Sequence, residues 1–500
     1  MSAEPIVAMW GTFDAERFGD QLYPRVARLE LGRRGCAVKA YAPMGWNRPT
    51  GLDGGEPAEP LGPYEPARLD VLAEAADAVL VGGGDVIDSR DELLAQQYAI
   101  SDKEARALKA SRFFIDGLGR QRERKCPVMW HAVGVPVDLG AADAKRVVAA
   151  TKDRPYVAVR DVRSRLRLEA AGVDHEILVV PDSGLLISRL IPHAVVEKRL
   201  AYLKVMGAYP ADAPVIVVQG DRDLLPSVAS IATSLRAVLA ERPALTVVIT
   251  EASRVDGDAE FAAALSRQLT GTTARVSHLT SVEDVATTIA AAELFLGSSY
   301  HANITAAAYN RPQVILDLTG ESKLQSLADL LQRPEGLVGD ISQLTDALSW
   351  GLEKPPKHDV VVRAQAAVDD HFDRVAEIAS LAASRNRRRA NEPTSGAELA
   401  ALRRAHEQLT RRTVAERVAM ADRVVDLEEQ LAATAATIRA LEAQGAWLAE
   451  RLSATEAAAA WHRSNIAAVE AELQAIKQTK TFRWTSPARE FLIRWRSRRS

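Results

Sequence analysis

Cysteine is nearly missing: Cys36 and Cys126 are the only two in 500 residues. A disulfide-stapled secreted scaffold and a cysteine-rich zinc site are therefore excluded. No apolar run approaches the ~18 residues that span a bilayer. The N-terminus, Met1 to Trp10, lacks a basic stretch followed by a long apolar one. No signal peptide is expected on that ground, and the cytoplasm is the default compartment. Paired cysteines and the His-Glu-x-x-His pattern are absent and the nine histidines are scattered, so no metal site is expected. The dinucleotide fingerprint, the P-loop and the Gly-x-Ser-x-Gly elbow are missing as well. What is there is ordinary for a globular chain: 47% hydrophobic and 26% charged residues. That balance rules out wholesale disorder.

The net charge of -3 gives no hint of nucleic acid, but it hides an asymmetry. Between Lys477 and Ser500 there are eight basic residues and one acid, Glu490, so the tail carries +7 and the remainder -10. An acidic body with a basic tail suggests a tail that meets an anionic surface. Phe482, Trp484, Phe491, Leu492, Ile493 and Trp495 interleave with those charges. This is the composition of a segment that lies in a membrane's headgroup layer. Pro487 is expected to split it, leaving a short helix from Ala488.

Residues 1–385 alternate short β-branched runs with helical stretches. Ile6–Met9, Ala78–Val81, Tyr156–Val159, Val215–Val218, Thr246–Ile249, Leu294–Leu296 and Val314–Leu316 are continuous apolar runs, not alternating ones. Such runs suit strands buried on both faces, as in a parallel sheet covered by helices. The fold class expected is α/β, in two Rossmann-like domains over 1–190 and 191–385. Residues 386–397 read as a polar linker. Residues 398–480 read as a long helix with heptad character, for which a and d positions include Val424, Leu427, Leu431, Ile466, Val469, Leu473 and Ile476. Self-association through a coiled coil and folding back on the body both remain open. Residues 481–500 form the basic aromatic tail.

Four strand-to-helix corners carry residues suited to an anionic ligand. The first holds Gly19 and Asp20, before a helix expected near Gln21, and a plain turn with a helix cap is the competing reading. The second is Gly82-Gly83-Gly84-Asp85, where glycines let the backbone approach a ligand at the carboxyl edge of a sheet. The third is Arg160-Asp161, with Asp161 placed to cap a helix that Gly172 ends. There Arg160 is either an anion clamp or the local partner of Asp161. The fourth runs Gly297-Ser298-Ser299-Tyr300-His301-Ala302-Asn303, and puts His301 in a first helical turn as a candidate proton donor.

In this order, with His131-Ala132-Val133-Gly134, Val180-Pro181-Asp182, Gln219 and Pro312, the corners resemble the polysaccharide pyruvyl transferase family over residues ~5–350. The resemblance implies two Rossmann-like domains in a GT-B-like arrangement, and transfer of pyruvate from phosphoenolpyruvate to a cell-envelope or exopolysaccharide glycan as a ketal. It implies no cofactor beyond that donor substrate. The acceptor would be a saccharide, lipid-linked in the case of a membrane-attached enzyme on the inner face of the cell membrane. Carried over position by position, His301 is the acid and Asp20 the base. Arg160, Gly19, Gly83, Gly84, Asp182, Gln219, Ser298, Ser299 and Asn303 bind substrate. The family often has Ser-Arg-Leu-His where this chain has Ser298-Ser299-Tyr300-His301, so Ser299 replaces an arginine. Arg17 stands where the family usually has asparagine. A GT-B-like nucleotide-sugar glycosyltransferase and a non-catalytic scaffold acting through the coiled coil stay open as alternatives. The segment Lys480 to Arg489 is similar to one that follows coiled coils in some bacterial envelope glycosyltransferases.

Overall fold

The computed structural model describes residues 4–45, 58–98, 100–269, 274–277, 281–390, 463–478 and 480–497. Residues 1–392 form one compact unit and 393–500 another.

The first unit holds two parallel sheets. Strands β1 (Ile6–Trp10), β2 (Ala37–Ala42), β3 (Glu59–Pro60), β4 (Ala78–Gly82), β5 (Val128–Val133), β6 (Val157–Val159) and β7 (Leu178–Val179) are arranged as β3-β2-β1-β4-β5-β6-β7. Strands β8 (Val215–Gln219), β9 (Thr246–Thr250), β10 (Ala274–Ser277), β11 (Leu294–Gly297), β12 (Gln313–Leu316) and β13 (Leu337–Val338) are arranged as β10-β9-β8-β11-β12-β13. β4, β5, β8 and β9 are buried at every position, which is why their sequences read as unbroken apolar runs. The two sheets are Rossmann-like, face a shared cleft, and form the GT-B-like α/β fold expected from the resemblance.

Strand order dictates where that cleft works. In each sheet the order reverses once, between β1 and β4 and between β8 and β11. The loops leaving these strands diverge to opposite faces and open a crevice at their carboxyl ends. The Gly19, Gly83 and Gly84, and Ser298 to His301 corners all follow these switch-point strands.

One helix, His358–Ala390, joins the domains. Its Val361 and Ala364 pack with Tyr300, Ile304 and Leu327 of the second domain. Further along, Val368, Phe372, Val375 and Ala379 pack with Val7, Met9 and Tyr23 of the first. Phe372 is fully buried, and its truncation to alanine would cost about 3–5 kcal/mol. The helix runs through Arg385–Arg389, where the sequence suggested a linker.

In the second unit the chain is helical over 463–478, where Ile466, Val469, Leu473 and Ile476 are about half exposed. The rest of the expected heptad register, from Val424 to His462, lies outside the described residues. A second helix, Lys480–Arg496, continues through Pro487. The expected break does not occur: proline removes one backbone donor but leaves the helical φ intact.

Candidate active site

The crevice has a volume of about 840 Å³ and is lined by both domains. From the first come Thr12, Gly19, Asp20, Gly84, Asp85 and Arg160, and from the second Gln219, Ser298, Ser299, His301 and Lys323.

The helix after β1 begins at Phe18, not near Gln21. Arg17 forms a β-bridge with Ser253, and the Phe18 N–H donates to the Ala252 carbonyl, so the second domain fixes the helix start. Gly19 and Asp20 thus lie in its first turn. A Cβ on Gly19 would stand 2.0 Å from His301 Nδ1, so only glycine lets the imidazole lie there. One turn on, Tyr23 Oη is 2.6 Å from Asp182 Oδ2 and 2.7 Å from His301 Nε2. Asp182 Oδ1 accepts from the Gly184 N–H. Burial alone would raise the Asp182 carboxyl, but hydrogen bonds and charge from His301, Tyr23 and Arg160 hold it down to about 2. An ionised Asp182 accepts the hydrogen bond that Tyr23 O–H donates, so Tyr23 Oη accepts in turn from His301 Nε2–H. The relay is His301–Tyr23–Asp182, with the Nδ1 edge of His301 against Gly19 at the cleft wall. Gly83, at φ +95°, gives Tyr23 its room, since a Cβ there would meet the ring at 2.5 Å.

Asp20 accepts from Thr12 Oγ1 at 3.1 Å. Burial pushes its carboxyl up to about 6, against the pull of Arg17, His301 and Thr12. Gly84, at φ +87°, lies beside it. Arg160 is buried at the end of β6, its guanidinium 4.6 Å from the Tyr300 ring centroid. Its Nη2 donates to Asp85 Oδ1 at 2.5 Å. Asp161 caps the following helix through the Ser164 N–H. Asp85 is held below the usual carboxylate range, the charges of Arg160 and Lys323 overcoming its burial.

Several expected ligand-binding residues also hydrogen-bond within the wall of the crevice. Gln219 Oε1 accepts from the Ser299 N–H, and its Nε2 donates to Asp258. Ser298 Oγ donates to Asp221, and Ser299 Oγ caps the Tyr300–Ala308 helix through the Ala302 N–H. Asn303, fully buried, donates to the Gly297 and Ser299 carbonyls. Gly83, Asp182 and Asn303 stand behind the lining; they position it.

Sequence reasoning missed Tyr23, Lys323 and Asp256, and gave Asp85 and Arg17 no role of their own; the two Arg17–Asp256 hydrogen bonds, at 2.8 and 2.6 Å, bridge the domains. It also missed a buried chain behind the site. Ser183 Oγ is 3.0 Å from His131 Nε2, His131 Nδ1 is 2.6 Å from His371 Nε2, and His371 Nδ1 is 2.7 Å from Tyr156 Oη. Burial drives His131 down to about 4 and holds His371 well below the usual histidine range, so both are neutral hydrogen-bonding groups. Among the described residues no group of three or more His, Cys, Asp or Glu could hold a metal ion.

The profile of the polysaccharide pyruvyl transferase family matches residues 16–319, a span that holds Gly19, Arg160, Asp182 and His301. The chain belongs to this family. It is accordingly a transferase that modifies polysaccharide. No curated protein matches the sequence. Among solved structures, UDP-GlcNAc 2-epimerase from Methanocaldococcus jannaschii is similar at 13% identity and TM-score 0.45, covering 70% of this chain and 93% of that one. WaaG, a glycosyltransferase involved in lipopolysaccharide biosynthesis, is similar at 15% identity and TM-score 0.39, covering 75% and 98%. The N-terminal domain of trehalose-6-phosphate phosphatase from Candida albicans gives 9%, 0.43, 75% and 99%.

Proposed function

We propose that the enzyme transfers pyruvate from phosphoenolpyruvate to a saccharide diol of a cell-envelope or exopolysaccharide glycan, as a ketal. The observation that carries this reading is the His301–Tyr23–Asp182 relay opening on a cleft that also holds Arg160 and Asp20.

The reaction needs an acid at carbon, an anion clamp and a base. His301 protonates the methylene carbon of the donor from its Nδ1 edge, while the Asp182 carboxylate, acting through Tyr23, offsets the imidazolium charge. Arg160 holds the donor's anionic groups. Asp20 removes the proton from the attacking sugar hydroxyl, and a carboxyl near 6 is poised for that task. One hydroxyl attacks C2, phosphate leaves, and the second hydroxyl closes the ketal. Of the two hydroxyl protons, one replaces the proton given to the methyl group and the other leaves with phosphate.

The acceptor is lipid-linked in this reading, and residues 480–497 attach the enzyme to an anionic inner leaflet. In the tail helix, Phe491, Leu492 and Ile493 are exposed beside Arg494 and Arg496. The 463–478 helix, with its exposed Ile466, Val469 and Leu473, supports self-association through a coiled coil. Among the described residues one helix, Arg222–Glu241, is long and apolar enough to cross a membrane, but its Ile231, Leu235 and Val238 are core residues.

Incubating the full chain with phosphoenolpyruvate and a panel of soluble and lipid-linked glycans tests the reaction. Phosphate release matched by glycan-dependent ketal formation is expected. Hydrolysis alone, or no consumption of phosphoenolpyruvate, would overturn the reading.

A further inference from the structure

The Asp182 carboxylate stands at the start of a short turn, Ser183–Leu186, and that turn is held from behind. The long helix His358–Ala390, which lies beyond the 16–319 span of the family match, supplies the hold. Its Gln365 Nε2 donates to the Leu185 carbonyl at 2.8 Å. Its Asp369 accepts from both terminal nitrogens of Arg189, just beyond the turn, at 2.6 and 2.7 Å. Its His371 reaches the turn through His131, whose Nε2 is 3.0 Å from Ser183 Oγ.

The strand around His131 is shaped for this contact. The β5–β6 register shifts between Trp130 and Val133, and Ala132 takes φ +47°, a left-handed conformation that alanine rarely adopts. Such irregularities re-aim side chains, and His131 lies inside this one. On β4, Gly82 leaves the space: a Cβ there would stand 2.6 Å from His131 Cβ. The His131 ring is perpendicular to the Tyr23 ring, with centroids 6.4 Å apart. Each neutral imidazole carries one N–H and one bare nitrogen. Ser183, His131, His371 and Tyr156 therefore donate in one continuous direction, whichever end it starts from. Removing one member leaves its neighbours buried and unpaired.

Resting on the catalytic role proposed above for the His301–Tyr23–Asp182 relay, we infer that His131 and His371 are its positioning residues: through Ser183 they fix the turn that carries Asp182, and through the His131 ring they seat Tyr23. Neither lines the cleft, so neither meets donor or acceptor. The helix that joins the two domains thereby sets the geometry of the acid, and the two histidines act on turnover and not on substrate binding.

Steady-state kinetics of phosphate release from phosphoenolpyruvate in the presence of acceptor, beside thermal melting of the full-length chain, test this. His371→Phe keeps the volume and removes the hydrogen bonds; it should lower kcat about 10–100-fold and leave KM for phosphoenolpyruvate unchanged. His371→Gln, which keeps a donor and an acceptor, should restore most of kcat. Ser183→Ala, a smaller change at the other end of the chain, should lose kcat as His371→Phe does. In an Asp182→Asn background, His371→Phe should cost almost nothing further, because both act through one carboxylate. Wild-type kcat in Ser183→Ala, or in a folded His371→Phe, overturns the inference alone. Equal losses with and without Asp182→Asn overturn it too, because the histidines would then serve the fold at large. A wild type that releases no phosphate overturns the reaction reading itself, and this assignment with it.

Discussion

Substituting Gly19 by alanine separates the geometry of the acid from the stability of the fold. Gly19 lies in a helical first turn without a positive φ, so alanine can adopt its backbone, and helix propensity favours the change by up to about 1 kcal/mol. The new Cβ, however, would stand 2.0 Å from His301 Nδ1 and 2.3 Å from Cγ. Ordinary contact begins near 3.4 Å, so the ring must retreat by about 1.4 Å. That stretches the 2.7 Å bond to Tyr23 past hydrogen-bonding range. One buried hydrogen bond is then lost, about 1–3 kcal/mol, partly offset by the helix gain. A misplacement of this size at a reacting group costs about 100-fold in rate. Phosphate release from phosphoenolpyruvate in the presence of acceptor, measured beside thermal melting, reads both quantities. Gly19→Ala should stay folded, with stability lowered by no more than about 2 kcal/mol, and lose about 100-fold in rate. Adding Gly19→Ala to His301→Ala should cost almost nothing further, since both remove one function. A Gly19→Ala enzyme that turns over at the wild-type rate would refute the placement of the acid.

The acid limb of the pH–rate profile should report Asp20, with the rate falling as pH drops through about 6; Asp20→Asn should lose both that limb and about 100-fold or more in rate. Asp182 has the opposite shift, its folded carboxyl near 2 lying below the ordinary 3.8. Its stabilising contribution is therefore full above about pH 4 and lost as pH falls toward 2, so acid denaturation of Asp182→Asn should lack that slope. A chain ending at residue 479 should stay in solution when the wild type floats with anionic vesicles and detaches in high salt. Equal flotation of the two would remove the tail as the anchor.

The fold was legible because parallel strands buried on both faces leave continuous apolar runs, as at Ala78–Gly82 and Val215–Gln219. Ala37–Ala42 was harder to read: it carries Lys39 and is buried only toward its C-terminal end. The corners were legible through glycine. Their partners were not, because the contacts that complete the site span long sequence separations. Tyr23 reads as an ordinary core aromatic until His301 and Asp182 converge on its hydroxyl. Asp85 shows its part only when β6 brings Arg160 to it. Ser299 and Asn303 lie in a loop that looks like a binding loop, yet its polar atoms are needed to satisfy the start of the helix behind it. In hindsight, a tyrosine one helical turn after a Gly-Asp pair was the one available signal, since that spacing puts Tyr23 and Gly19 on the same helix face.

In the proposed reaction His301 delivers a proton to the methylene carbon of phosphoenolpyruvate and a ketal results. Mass spectrometry of the glycan after reaction in D₂O, followed by back-exchange in H₂O, tests both halves at once. The glycan should gain about 70 Da in H₂O and about one mass unit more in D₂O, with the single deuterium in the methyl group, and His301→Ala should lose the product. A glycan that gains no mass, or an adduct that forms in D₂O without deuterium at carbon, would contradict it.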